Sequence, residues 1–229
     1  KDGVLFNKKQ KKLVYYPFSK KEKRYDIPDG VQFIAEEAFA NRNHLEEIII
    51  PESVTQIEPK AFYGCRGLKS IVIPSTVKRV GSSAFHSCSS LREVTLSESL
   101  IAIEYCVFYA CSSLAFIQLP DNIRIISPCA FSGCSSLNSI IFPDGLIDIG
   151  ESAFEGCRSL ESITLPDNFE TLGAHVFGSC TMLDSVILSG KIRVIPPQAF
   201  ARCESLNHVE LPEGLEEIKS EAFDSCENL

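Results

Sequence analysis

The stretch AFYGCRGLKSIVIP, residues 61–74, returns along the chain in varied form at a fixed interval. Phenylalanine recurs at Phe39, Phe62, Phe85, Phe108, Phe131, Phe154, Phe177, Phe200 and Phe223, always 23 residues apart. Leucine keeps the same step from Leu45 to Leu229. Proline keeps it at Pro28, Pro51, Pro74, Pro120, Pro143, Pro166 and Pro212, with Ser97 and Ser189 in the two gaps. Cysteine runs from Cys65 to Cys226, with Arg42 in the first repeat's slot. The unit reads P-x-x-[VILF]-x-x-[IVL]-x-x-x-[AV]-F-x-x-C-x-x-L-x-x-[IV]-x-[ILF]. Eight full units fill 28–211 and a ninth breaks off at Leu229, without insertion or deletion. A unit this small cannot bury its apolar residues alone. Stacked on its neighbours it shares one continuous core, so the period predicts a solenoid.

Two local periods alternate within a unit. In Leu45, Ile48 and Ile50 the last two apolar residues lie two apart, which predicts a short strand with one face inward. In Ile57, Ala61, Phe62 and Cys65 the spacing is three to four, which predicts a short helix. Each coil is expected to be strand, turn, short helix, turn. Equivalent strands of successive coils should stack in parallel ~4.8 Å apart.

The recurrent A-F-x-x-C-x-x-L-x-x-I-x-I-P resembles the BspA-like leucine-rich repeats, which share the 23-residue period. The resemblance covers essentially the whole chain. It implies a curved α/β solenoid with a parallel sheet on its concave face and short helices on the other side. It also implies an exported surface protein of a host-associated microbe that binds other proteins, with no shared catalytic motif. The opening DGVLFNKKQKKLVYYP, residues 2–17, looks like the hairpin that starts many members. Residues 1–27 are therefore expected to cap the first coil and to cover an open strand edge, with the solenoid occupying 28–229. At the other end the core is expected to lie open at Leu206, Phe223 and Leu229.

Charge is unevenly placed. Residues 1–27 carry nine Lys/Arg against Asp2, Glu22 and Asp26, a net of +6, whereas the whole chain is −8 and residues 28–229 therefore carry −14. An acidic body argues against nucleic acid as a partner, because phosphate repels it. The basic head reads as a solvated hairpin tip rather than a contact for anionic lipid or polymer. No apolar run approaches the ~20 residues that span a bilayer, so membrane insertion is not expected. The first residue is Lys1, so the sequence is read as a processed or excised piece.

The period explains eight of the ten cysteines as packing thiols. Cys106 and Cys129 lie off that ladder, one repeat apart. With Cys111 and Cys134 they match a zinc site in number but not in spacing, because C-x4-C on a helical turn separates its ends by about 140°. His44, His86, His175 and His208 occupy four different repeat positions and share no face. Nucleophile-elbow, phosphate-loop and zinc-protease motifs are missing, so no catalytic, metal or cofactor site is expected.

What remains is surface. Two columns of strand residues face outward: Glu47, Ser70, Glu93, Phe116, Ser139, Ser162, Ser185, His208, and Ile49, Val72, Thr95, Gln118, Ile141, Thr164, Ile187, Glu210. The second is largely β-branched, as any exposed sheet tends to be. Read as a docking face, its centre is Glu93, Thr95, Phe116, Gln118, Ile141 and Thr164, with Phe116 as anchor. The expectation is a non-enzymatic module at the cell surface or secreted. Its ligand would be a protein or peptide, such as host extracellular matrix or another surface protein. The alternative is a rigid spacer presenting another domain.

Overall fold

The computed structural model describes residues 3–229, so Lys1 and Asp2 of the predicted cap lie outside the described residues. The chain is a solenoid of about nine turns built on two parallel ladders rather than one. The first ladder runs through Arg24–Asp26, Glu47–Ile49, Ser70–Val72 and Glu93–Thr95, and resumes at Ser162–Thr164, Ser185–Ile187 and His208–Glu210. Between those blocks the described residues keep a single bridge, Gln118–Ile141, so the predicted strand at Phe116 does not form. The second ladder runs from Phe33–Ile34 to Glu217–Ile218. Registers such as Ser70↔Glu93 and Ile57↔Val80 join residues one repeat apart, so like stacks on like.

The helical spacing does not produce helices: among the described residues there are none. The reason is where the amides go. The Ala61, Tyr63 and Cys65 N–H groups donate three residues back, to Glu58, Lys60 and Phe62 carbonyls. The intervening Lys60, Phe62 and Gly64 N–H groups donate instead to Ser82, Ala84 and His86 of the next coil. Lys60 and Gly64 both adopt the left-handed region, at φ +54° and +66°. The same two positions are left-handed in every coil, from Glu37 and Asn41 to Glu221 and Ser225. An α-helix needs successive amides bonded four residues back. Here every second one is engaged between coils, and the left-handed residues break the spiral.

Inside, the phenylalanines form one stack from Phe39 to Phe223, with ring centroids 5.1–5.7 Å apart. Tyr16, 23 residues before Phe39, extends it at 5.2 Å. The antiparallel hairpin β1 (Leu5–Phe6) and β2 (Lys12–Tyr15) joins the second ladder through Lys12↔Phe33. Each ladder thiol donates to the phenylalanine carbonyl 26 residues earlier, as Cys134 Sγ does to Phe108 O at 3.1 Å. Arg42 makes the equivalent bond, Nε to Tyr16 O at 2.5 Å. Its guanidinium lies 3.6 Å from the Phe18 ring and 4.9 Å from Tyr15, so the residue that departs from the repeat ties the hairpin to the first coil.

The two serines in proline slots mark seams. The second ladder lapses between Arg79–Val80 and Ala102–Ile103, just after Ser97, and between Thr171–Leu172 and Val194–Ile195, after Ser189. The widest step of the phenylalanine stack, Phe85 to Phe108 at 5.7 Å, falls at the first seam. Both hydroxyls are buried and bond carbonyls of the preceding coil, Ser97 Oγ to Val77 O at 2.7 Å and Ser189 Oγ to Asp167 O at 2.9 Å. At the far end Leu206 is buried, contrary to expectation; Leu215, Phe223 and Cys226, which follow it, pack against the same core. Phe223 is half-buried and Leu229 is exposed.

Candidate protein-binding face

The face of the first ladder follows from strand alternation. Ile48, Ile71, Ile163 and Val186 point into the core, so their neighbours point out. Glu93, Thr95, Phe116, Gln118, Ile141 and Thr164 are all exposed. The apolar members stand out: Ile141 is 64% exposed, Val72 61% and Phe116 46%. Ile49 and Ile187 extend the row toward either end.

The structure groups these residues unevenly. Ile141 forms a wall between two clefts. One, of about 450 Å³, is lined by Gln118, Asp121, Arg124, Ile141, Phe142 and Asp144. The other, of about 300 Å³, is lined by Ile141, Phe142, Asp144, Ser162, Thr164 and Pro166. Gln118, Ile141 and Thr164 therefore share one locality. Glu93, Thr95 and Phe116 line neither cleft; Phe116 sits where the ladder has lapsed. Arg124, Asp121 and Asp144 are not legible as site residues in the sequence, because they follow the proline slot rather than lie on the predicted strand.

Toward the N-terminal end the same face is charged and internally neutralised. Glu46 lies between Lys23 at 2.7 Å and Lys69 at 2.5 Å. Hydrogen bonds from these two ammonium groups hold its carboxyl at about 2. Arg24 bridges Asp26 and Glu47 in the neighbouring column.

A second exposed aliphatic patch was missed. Ile101, Ile125 and Ile147 are exposed on, or just before, strands of the second ladder, immediately ahead of the segment with helical spacing. The available signal was Ile125 directly beside Ile126, of which only Ile126 holds the inward position of the repeat.

Elsewhere the chemistry is sparse. His86 is stacked between Tyr63 at 4.7 Å and Tyr109 at 4.6 Å, and burial lowers its basicity. Cys111 and Cys134 point into the core, bonded to Phe85 and Phe108, whereas Cys106 and Cys129 lie in a turn column outside it. The four thiols thus do not converge. No group of three or more metal-binding side chains occurs among the described residues. No helix there is long and apolar enough to cross a membrane.

A family model described as the BspA type leucine rich repeat region matches residues 11–134 and 102–229. Among solved structures, a leucine-rich repeat protein from Bacteroides ovatus is 29% identical, with a TM-score of 0.67, over 95% of this chain and 68% of that one. The Treponema pallidum leucine-rich repeat protein is 26% identical, at a TM-score of 0.59, over 99% of this chain and 86% of that one. A leucine rich cell surface protein from Faecalibacterium prausnitzii shares the fold at 24% identity and a TM-score of 0.54, over 99% of this chain and 85% of that one. No curated protein matches the chain.

Proposed function

Because the chain belongs to the BspA-type leucine-rich repeat family, we propose that it is a non-enzymatic module that binds a protein or peptide through the face of its first ladder. The observation that carries this reading is the outward group Val72, Phe116 and Ile141, three large apolar side chains about half or more exposed on one face, with Val72 and Ile141 on backbone paired between coils. Side chains that are short or β-branched lose little rotamer freedom when covered, which favours binding. The clefts beside Ile141 give a partner's side chains somewhere to seat. The acidic body speeds encounter with basic partners and disfavours acidic ones. The proposal places the module at the cell surface or in the secreted fraction, as the resemblance of its repeats implies, with extracellular matrix or another surface protein as ligand.

The test is binding to a panel of purified matrix and surface proteins, with wild type, Phe116→Ala, and a Thr95→Arg/Thr164→Arg double variant. Loss of roughly tenfold or more in affinity in the variants supports the face, since a central aromatic anchor typically contributes more than about 1 kcal/mol. Intact binding in these variants, with loss in Glu155→Arg on the turn side, moves the site off the face. Absence of any ligand leaves the rigid spacer as the better reading.

A further inference from the structure

Eight thiols are committed to the core. Each donates to a phenylalanine carbonyl, and seven of them are fully buried, the exception being half-buried Cys226. Cys106 and Cys129 differ in position and in bonding. They occupy the left-handed position two residues before phenylalanine, at φ +53° and +56°. In the other coils that column holds Glu37, Lys60, Ser83, Ser152, His175, Gln198 and Glu221, all polar. Among the described residues, neither thiol donates to a backbone carbonyl as the ladder thiols do. Cys106 is 6% exposed and Cys129 is half-buried, so a small reagent reaches the pair from the Cys129 side.

The coils on which they sit are locked in register. Ala102 pairs with Ile125 and Ile103 with Ile126, the Cys106 N–H donates to Pro128 O at 3.2 Å, and the Cys129 N–H donates to Glu151 O at 2.9 Å. Backbones stacked at about 4.8 Å place the two Cα atoms inside the 4.4–6.8 Å range of disulfides. The register therefore sets the two thiols on the same turn position of adjacent coils. We propose that Cys106 and Cys129 are a thiol-oxidation site that closes into a cross-coil disulfide when a low-molecular-weight disulfide or comparable oxidant is present.

The chemistry balances by exchange. The Cys129 thiolate attacks one sulfur of the reagent disulfide and expels a reagent thiolate, leaving a mixed disulfide. The Cys106 thiolate attacks the Cys129 sulfur, expels the second reagent thiolate and forms the Cys106–Cys129 bond. Two protein thiols are oxidised and one reagent disulfide is reduced to two thiols. Attack requires a thiolate. Burial first, then Cys106, Glu151 and Glu155, push the Cys129 thiol up to about 11, and Tyr105 lies against Cys106. The thiolate fraction, and with it the rate, therefore rises about tenfold per pH unit through the neutral and mildly alkaline range. A bond that ties adjacent coils restricts the unfolded chain and raises the thermal midpoint.

The experiment incubates the whole reduced protein, freed of reductant, with hydroxyethyl disulfide at mildly alkaline pH. Native protein is expected to lose two of its ten thiols, and peptide mapping to find Cys106 joined to Cys129. The midpoint rises and falls back on reduction. Cys106→Ser is expected to stop at a mixed disulfide on Cys129; it folds, because Ser83 and Ser152 hold this column in the flanking coils. Three outcomes overturn the proposal: wild type also stops at a mixed disulfide, neither thiol reacts, or the cross-link joins core-ladder cysteines instead.

Discussion

Replacing Phe131 by alanine tests whether the core is shared between coils. Phe131 is fully buried, with Phe108 5.5 Å away on one face at 15° and Phe154 5.2 Å away on the other at 10°. A phenylalanine of this kind buries on the order of 150–250 Å², and at about 25 cal/mol per Å² the transfer term alone is about 4–6 kcal/mol. Removal from a core that cannot collapse is measured at about 3–5 kcal/mol. The rungs above and below are held by the Phe131 N–H to Ala153 O bond at 2.8 Å and the Phe108 N–H to Ala130 O bond at 2.9 Å, so collapse is limited. We expect a loss of about 4 kcal/mol. Phe223→Ala is the comparison. That ring is half-buried and, among the described residues, stacks on Phe200 alone, at 5.3 Å, so about half the loss is expected. A solenoid unfolds in neighbouring blocks rather than all at once. The assay is therefore hydrogen exchange resolved by peptide, supported by urea denaturation. Phe131→Ala should lower protection in both adjoining coils, through 108–154. Equal losses in the two variants, or an effect confined to the Phe131 coil, would refute the shared-core argument.

Arg42→Ala should loosen the hairpin, because it removes two carbonyl bonds and the contact with Phe18; about 3 kcal/mol is expected, read as lost protection in Lys12–Tyr15. Arg42→Cys should be milder, since cysteine makes the equivalent bond in every later coil. Denatured, non-reduced protein should titrate close to ten free thiols, whereas native protein reacts slowly at the ladder, where burial pushes Cys134 up to about 12; four or more thiols already bridged would contradict the packing role. The Glu46 carboxyl lies at about 2 in the folded protein, below its ordinary 4.5, so its bonds to Lys23 and Lys69 stabilise fully above pH 4.5. That contribution fades as pH falls from about 4.5 to about 2, and a Glu46→Gln variant should lose this part of the acid limb in pH-dependent unfolding.

The repeat itself was legible because its cause is local and repeated. A fixed interval of phenylalanine, leucine and cysteine admits few arrangements other than stacked coils, and the Phe39 to Phe223 stack, the buried cysteine ladder and the inward Ile48 and Ile71 follow from it. Tyr16 lies one repeat before Phe39 and Tyr25 one repeat before Ile48, and it is the structure that packs both against the first coil. Spacing says which side chains point inward but not where amides find partners. Ile57, Ala61, Phe62 and Cys65 have helical spacing, yet the Lys60, Phe62 and Gly64 amides bond to the next coil, so the segment is a set of turns. That competition between a bond within the coil and one to a neighbour exists only once coils are stacked. The same holds for the lapse of the first ladder at Phe116, the clefts on either side of Ile141, the seams after Ser97 and Ser189, and the second exposed row at Ile101, Ile125 and Ile147. The sequence alone determined the period, the core and the candidate face. Tertiary structure decided the backbone path between the core residues, because each coil's hydrogen bonds are completed by the next.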